Sequence, residues 1–547
     1  MQLGEVSGVV QSGQQAFEAW SLLPPLLAIM LAVLTRRVAC SMAVGVIAGA
    51  LIVAGWDPWQ AMQLLIRDYL VGDAKSVTEH GMILLFTTLL GTMVGVITRN
   101  GAMQAVVTGL VRTGRDRRHG QQLTCGLGLA VFFDDYANTL VVGTSMRPIT
   151  DRLRISREKL AFLVDATAAP VAGLAVISTW VGYEVGLIRD VFQQLGQEVD
   201  AYAVFLRTIP YRFYSLLLLV FVWTVARSGR DFGPMAAAEL RAVVTGEVFR
   251  PGSHAPRAMD ETSSDSPRQG LARNAVVPLL ALIVVLVVGL WWWGGDWTFH
   301  VMLAASLAAS MTSVGMTLAT RAITWRETVS GWWRGGASMF QALGILVLAW
   351  GLGAVCDREA LGTADYLVEL TGDGLPSEWM PALSFVLAAA IALATGSSFS
   401  TMALLIPISV KVAAELLEAP AADDPVLLGT LGAVLAGAIF GDHCSPISDT
   451  TVLSSAAAGC DHLDHVSTQA PYAVVVALVS LLLGYVPVGW GIPIWVCLPL
   501  AVLTTILAVL IFGRRPVVVA SESPPAKGTA TGAATGTDQL EAQSETQ

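Results

Sequence analysis

Apolar runs that read as membrane crossings recur along almost the whole chain, and few folds tolerate that pattern. A helical crossing needs about 20 mainly apolar residues. Clear runs lie at 22–34, 38–54, 81–97, 275–293, 301–318, 337–355, 472–484 and 494–512. Further runs at 160–179, 213–225, 383–408 and 428–440 are interrupted by Gly, Ser, Thr or Asp. Together they predict about a dozen crossings in an all-α polytopic membrane protein. Hydrophobic residues make up 54% of the 547 and charged residues 14%. A soluble fold would have to bury that apolar surface in a core larger than single domains support, so the bilayer is the simpler solvent.

Charge is informative by position. Residues 1–20 hold no Lys or Arg, whereas basic residues gather at 36–37, 112–118, 147–159, 227–273, 321–334 and 514–515. Cytoplasmic loops carry the excess of Lys and Arg. The N-terminus is therefore expected outside and the C-terminus in the cytoplasm of a bacterial inner (plasma) membrane. No basic stretch precedes the first run and Pro24-Pro25 sits at its start, so it is expected to stay attached and not to be cleaved as a signal peptide. The net charge of −10 comes partly from loops and tail and gives no reason to expect nucleic acid.

The halves repeat weakly but in order. In the first, FTTLLGTMVGVITRNGA from Phe86 precedes FFDDYANTLVVGTSMRP from Phe132 and DATAAPVAGLAVIST from Asp165. In the second, FQALGILVLAWGLGAVCDREA from Phe340 precedes ATGSSFSTMALLIP from Ala394 and GDHCSPISDTTVLSS from Gly441. Charge bias threads the two in opposite directions, which predicts two inverted-topology repeats with broken helices, a plan of many secondary carriers. Chance likeness between Gly/Ala-rich spans is the competing explanation, and the shared order of polar interruptions favours the repeat. The expected division is 1–235, first transmembrane repeat; 236–273, a cytoplasmic connector with a short helix at 235–244; 274–513, second repeat; and 514–547, a disordered cytoplasmic tail. Trp291 to Trp293, Trp332-Trp333 and Trp490 stand beside span ends, as interfacial anchors do.

Charges inside a membrane survive mainly where they face a cavity or a partner. Asp134 and Asp135 interrupt an apolar run, and neighbours in sequence splay around a helix. One of them is expected to bind a cation while the other caps a helix or meets an Arg; a loop at the membrane edge is the alternative. In the second half, Ser397, Ser398 and neighbouring hydroxyls beside Gly396 suit unwound backbone facing a hydrated cavity, although small-residue helix packing gives the same pattern. Asp165 precedes Pro170, which frees a carbonyl one turn back and predicts a discontinuous helix. In GDHCSPISDTT, Gly441 and Pro446 break the helix, and Ser448, Asp449 and Thr450 can cap its restart. Asp442 is the first choice of cation ligand there and Asp449 the second.

His443 and Cys444 invite a transition-metal reading, but no second cluster of N or S ligands accompanies them, so none is expected. His462 and His465, with Asp461 and Asp464, read as a solvated cytoplasmic face; all three histidines are candidates for pH sensing. The six cysteines lack CxxC spacing, and no GxxxxGK(S/T) loop is present. Neither a disulfide framework nor ATP hydrolysis follows, and no enzyme activity is expected; a gradient must supply the energy.

GDHCSPISDTTVLSS, with FFDDYANT, DATAAP and ATGSSFSTM, resembles the NhaC-type sodium/proton antiporters of the ion-transporter superfamily, over roughly 22–512. The resemblance implies a carrier that expels Na+ in exchange for H+, with related members exchanging organic acids. It maps the family's polar motifs onto Asp134, Asp135, Asn138, Thr139, Asp165, Ser397, Ser398, Asp442, Ser445, Asp449 and Thr450. No cofactor is implied beyond the transported Na+ and H+. The expected partners are the small ion and the lipid bilayer, and a homo-oligomer is compatible with both. Burial disfavours a carboxylate's charged form, so a proton can compete with a cation at one or two buried aspartates. The alternative is an ion-coupled symporter or exchanger of a small organic anion or amino acid, which needs an interior cationic or amide anchor; Arg99, Asn100 and Arg147 are the candidates, and snorkelling from span ends also explains them.

Overall fold

Long apolar helices cut by short polar breaks set the architecture. The computed structural model describes residues 17–35, 37–71, 74–111, 116–253, 270–293, 297–371, 375–417 and 420–516. Most of the expected tail, much of the connector and residues 1–16 lie outside the described residues. The first half holds α1 (Leu23–Thr35), α2 (Val38–Val53), α3 (Pro58–Leu64), α4 (Ala74–Arg99), α5 (Ala102–Val111), α6 (Arg117–Ala130), α7 (Asp135–Arg152), α8 (Arg157–Asp165), α9 (Ala169–Leu174), α10 (Val181–Gln194), α11 (Ala201–Thr208), α12 (Phe213–Ser228) and α13 (Gly233–Val244). The second holds α14 (Arg273–Trp293), α15 (Thr298–Ala319), α16 (Trp325–Ser338), α17 (Phe340–Val355), α18 (Thr363–Thr371), α19 (Met380–Thr395), α20 (Ser398–Leu416), α21 (Pro425–Cys444), α22 (Asp449–Ala458), α23 (His462–Ser480), α24 (Val486–Gly489) and α25 (Ile494–Phe512). Short 3-10 and π turns extend several of these.

Among the described residues, nine helices are long and apolar enough to cross a membrane, or up to eleven if each of two bent pairs counts as one span. With a further, shorter apolar helix at Ala19–Thr35, that is in line with the dozen or so expected, although the chain around the polar motifs is cut into pieces. The run at 160–179 is not one helix: α8 ends at Asp165 and α9 spans only 169–174. The run at 383–408 breaks between α19 and α20, where Gly396 takes a left-handed conformation (φ +68°) that costs a side-chain-bearing residue. Further breaks separate α6 from α7 and α21 from α22. Three of these restarts are capped locally, Asp134, Ser397 and Ser448 accepting from backbone N–H groups at the starts of α7, α20 and α22, whereas α9 restarts behind Ala168 with no side-chain cap.

Glycines bring α4 and α16 into backbone contact. Gly91 and Gly95 face Gly331 and Gly335, and a Cβ built at Gly95 would sit 2.3 Å from the Gly331 carbonyl oxygen. Small residues at four-residue spacing permit this approach without hydrophobic drive between helices. Gly95→Leu is therefore expected to part the helices and destabilise the carrier by about 3 kcal/mol, read as a lowered melting temperature of purified protein in detergent. The short helix expected at 235–244 is α13, clamped to the first half by Glu239, which accepts from Ser156 N (2.8 Å) and Arg117 Nη2 (2.6 Å), and by Arg241 Nη2 on both oxygens of Glu158.

Candidate cation site

The break before α7 divides the labour of its two aspartates. Asp134 uses both oxygens: Oδ1 accepts from Ala137 N at 2.7 Å and Oδ2 from Thr179 Oγ1 at 3.1 Å. It is the cap. Asp135, turned to another side of the helix, keeps Oδ2 buried with no hydrogen-bond partner. Asn138 is a tie, donating through Nδ2 to the carbonyls of Gly128 (2.7 Å), Val131 (3.1 Å) and Thr167 (2.9 Å), which binds this break to the one between α8 and α9. Thr139 returns its hydroxyl to the Asp135 carbonyl at 2.8 Å.

In the second half Ser398 Oγ donates to Asp442 Oδ2 at 2.9 Å, and Thr450 Oγ1 reaches the same oxygen at 3.5 Å. Asp442 Oδ1 is buried and unpartnered. Ser397 caps α20 and accepts the Ser400 hydroxyl at 2.9 Å. Ser445 donates to Leu393 O at 2.9 Å, holding the break against α19. Asp449 Oδ1 accepts from Thr450 N at 2.9 Å, while its Oδ2 accepts from Tyr136 of the first half.

These groups meet around a cavity of about 60 Å³, lined by Asp134, Asp135, Asp442, Asp449, Ser397, Ser398 and Thr450. Its lining includes four carboxylates and no Lys, Arg or His. Thr179 also lines the cavity, and Thr87, Tyr136, Trp180, Tyr183 and Gln341, which were not singled out from sequence, complete much of the wall. Thr87 Oγ1 is a third buried oxygen without a partner. Its local signal is weak, a lone threonine in an apolar helix. The volume suits a few waters or a small ion, and the donors are the oxygens that hard cations take. Among the described residues no three His, Cys, Asp or Glu side chains gather in metal-binding geometry. A larger groove of about 560 Å³ between α14 and α15 is lined almost wholly by apolar side chains.

Asp165 lies elsewhere. It accepts from Ser454 Oγ at 3.1 Å and Gln469 Nε2 at 3.0 Å, with His465 Nε2 at 3.2 Å and His443 Nε2 at 3.8 Å. His443 Nδ1 pairs with the Tyr214 hydroxyl at 2.8 Å. His465 corrects the expectation of a solvated face: it is fully buried, because α23 turns His465 and Gln469 inward onto Asp165. His462 is partly exposed and pairs with Pro446 O at 2.7 Å and Ser455 Oγ at 3.2 Å.

The interior arginine is none of the residues named from sequence. Asn100 is bound to Thr317 Oγ1 and Ala102 N, Arg99 is exposed, and Arg147 lies beside Gly459. Among the described residues Arg212 is the fully buried arginine, with its Nη1 2.6 Å from Glu184 Oε2. It precedes the apolar run at 213–225, and that boundary hid it.

The sequence matches the Na+/H+ antiporter family over residues 171–490. The chain belongs to that family. The match takes in the second-half motifs and begins after Asp134, Asp135 and Asp165. An uncharacterized protein of Haemophilus influenzae is 33% identical over 492 residues, covering 86% of this chain and 91% of that protein. The arginine/ornithine antiporter ArcD of Halobacterium salinarum is 28% identical over 211 residues, covering 38% of this chain and 40% of its own. The crystal structure of the YdaH transporter of Alcanivorax borkumensis shares the fold, with a TM-score of 0.53 at 17% identity over 80% of this chain and 90% of that one. This antiporter-family member is a multi-pass secondary transporter, not an enzyme.

Proposed function

We propose that the protein exchanges Na+ for H+, with Asp135 and Asp442 as the carboxylates for which the two compete. The observation that carries this reading is a small cavity lined by four carboxylates and no cationic side chain, in which one oxygen of Asp135 and one of Asp442 stand unpaired. Charge there has to be balanced by cations or protons. Thr87, Ser398 and Thr450 supply neutral oxygens beside them. In this reading the halves at 1–235 and 274–513 are opposed repeats that expose the site in turn to the two sides of a bacterial inner membrane, with the N-terminus outside and the C-terminus in the cytoplasm.

In this reading a stacked pair of rings plugs access on one side. Two turns from the cavity along α4 and α10, His80 stacks on Trp350 of α17 with ring centroids 3.7 Å apart, and its Nε2 lies 3.7 Å from Asp190 Oδ1. Beyond it a polar vestibule of about 390 Å³ includes Glu79, Glu198 and Asp200. Trp350→Ala is expected to open this plug and give a Na+ leak that runs without a pH gradient, read as 22Na+ uptake into proteoliposomes; uptake that still requires the gradient counts against the plug.

The decisive test is reconstitution with an internal pH dye, challenged in turn with Na+, Li+, K+, carboxylates, arginine and ornithine. Na+-evoked internal pH change with no response to the organic compounds supports the proposal. A response to the organic compounds alone ends it. The ArcD relative favours a second reading, a cationic amino acid antiporter, since a carboxylate-lined site suits such a substrate; the cavity would first have to widen. Competition also sets the pH dependence: below the carboxylate's titration range, each unit of acidification raises the apparent KM for Na+ about tenfold when one proton competes. A KM for Na+ that does not change at any pH the folded carrier tolerates would contradict it.

A further inference from the structure

Glu184 and Arg212 form a buried ion pair outside the cavity, and it is built unlike two other buried pairs, Glu158–Arg241 and Asp231–Lys159. Glu158 takes both oxygens to Arg241 Nη2 at 2.9 and 3.0 Å, and Asp231 accepts from Lys159 and from the Tyr472 hydroxyl. Glu184 is fully buried, yet neither of its oxygens receives an aligned hydrogen bond. Arg212 spends its donors elsewhere: Nη1 on the Gly173 carbonyl, Nε and Nη2 on Thr208 Oγ1 at 3.3 and 3.0 Å, with its guanidinium 4.8 Å above the Phe205 ring. Protonating Glu184 therefore leaves intact the bonds to Gly173 and Thr208 that hold Arg212.

The pair stands directly behind the cavity wall. Tyr183, next to Glu184, lines the cavity, and so does Trp180. A Cβ at Gly173 would lie 3.6 Å from both Glu184 Oε1 and the Trp180 ring. The charged or titratable groups around the pair are few. Arg212 faces Glu184 from the start of α12, Tyr183 flanks it on α10, and Tyr485 faces Arg212. Gly173 of α9 and Ile439 of α21 contribute none. Phe86 and Thr87 of α4 and Phe399 of α20 pack on this turn of α10, and Arg189 and Asp190 farther along meet Glu79 and His80 of α4.

We propose that Glu184 is a second proton-binding carboxylate of the exchange, coupled to the cation cavity through the charge of Arg212 and not by sharing the cation. With Glu184 ionised the pair is neutral and the cavity holds its cation. A proton on Glu184 leaves Arg212 uncompensated behind Trp180, and the positive charge expels the cation; one proton enters this site as one cation leaves. Unit charges about 10 Å apart at an effective dielectric of about 20 change affinity by roughly tenfold.

This rests on the exchange reading above, and the test separates the two. Glu184→Gln fixes the pair at +1, so the KM for Na+ in proteoliposomes at high pH rises about tenfold, with kcat little changed. The double variant E184Q/R212Q, neutral at all pH, returns the KM to near the wild-type value. Arg212→Gln alone lowers the KM at low pH. A wild-type protein without any Na+ response fails the exchange reading itself. A wild type that responds, with KM unchanged in E184Q or not restored in the double variant, overturns the role of Glu184 alone. Failure of all three variants to yield folded protein makes the pair a structural strut and overturns it equally.

Discussion

Asp442→Asn and Asp135→Asn each abolish Na+-evoked proton release from the purified carrier, while Asp134→Asn keeps it within a few-fold of wild type. Asparagine nearly matches aspartate in shape, so Ser398 and Thr450 still have an oxygen to meet at position 442. What disappears is the charge on the two oxygens that stand unpaired in the cavity. A charge-assisted contact in a buried site is worth about 2–3 kcal/mol, or roughly 100-fold in Na+ affinity at either position. Asp134 differs because its oxygens already serve Ala137 N and Thr179 Oγ1, and asparagine is as good a helix N-cap. The measurement is pH-dye fluorescence on Na+ addition, in detergent and after reconstitution. Full retention of the signal in D135N and D442N, or its loss in D134N alone, would falsify the assignment of the open carboxylates.

Asn138→Leu should remove the folded carrier altogether. One amide group donates to the carbonyls of Gly128, Val131 and Thr167, all at helix breaks inside the bundle. Leucine leaves those carbonyls without a donor in a place water does not reach. The two N–H groups of the amide share these three acceptors, so about two full bonds are lost, and at about 1–3 kcal/mol each they take a large part of the roughly 5–15 kcal/mol by which proteins are stable. The expected result is loss of the monodisperse peak in detergent chromatography. Thr139→Ala, one residue on, removes only a hydroxyl bonded back to its own helix and should shift stability by less than about 1 kcal/mol. Comparable melting of the two variants would show that Asn138 is not the tie it looks to be.

The contrast between neighbouring residues marks where sequence reading stops. The helical membrane class, the polar breaks and the caps that restart the helices were legible, because hydropathy over a span and capping within three residues are local properties. Asp134 and Ser448 cap their helices through bonds of that range. The interior arginine was missed, since Arg212 reads like any basic residue at the end of an apolar run. His465 was misread as solvated, since nothing within its own helix shows that Asp165, 300 positions away, takes its ring.

From sequence alone came the list of oxygens from which a cation site can be built, because residue type and local breaks decide which polar groups a membrane helix has to accommodate. Only the tertiary structure decided which of them stay open: Thr179 closes Asp134, Tyr136 occupies Asp449, Asp165 is drawn off to the histidines, and Asp135 and Asp442 are each left with an unpaired oxygen at one cavity. The reason is that a carboxylate's vacancy is set by partners tens to hundreds of residues distant, which packing alone brings within hydrogen-bond reach.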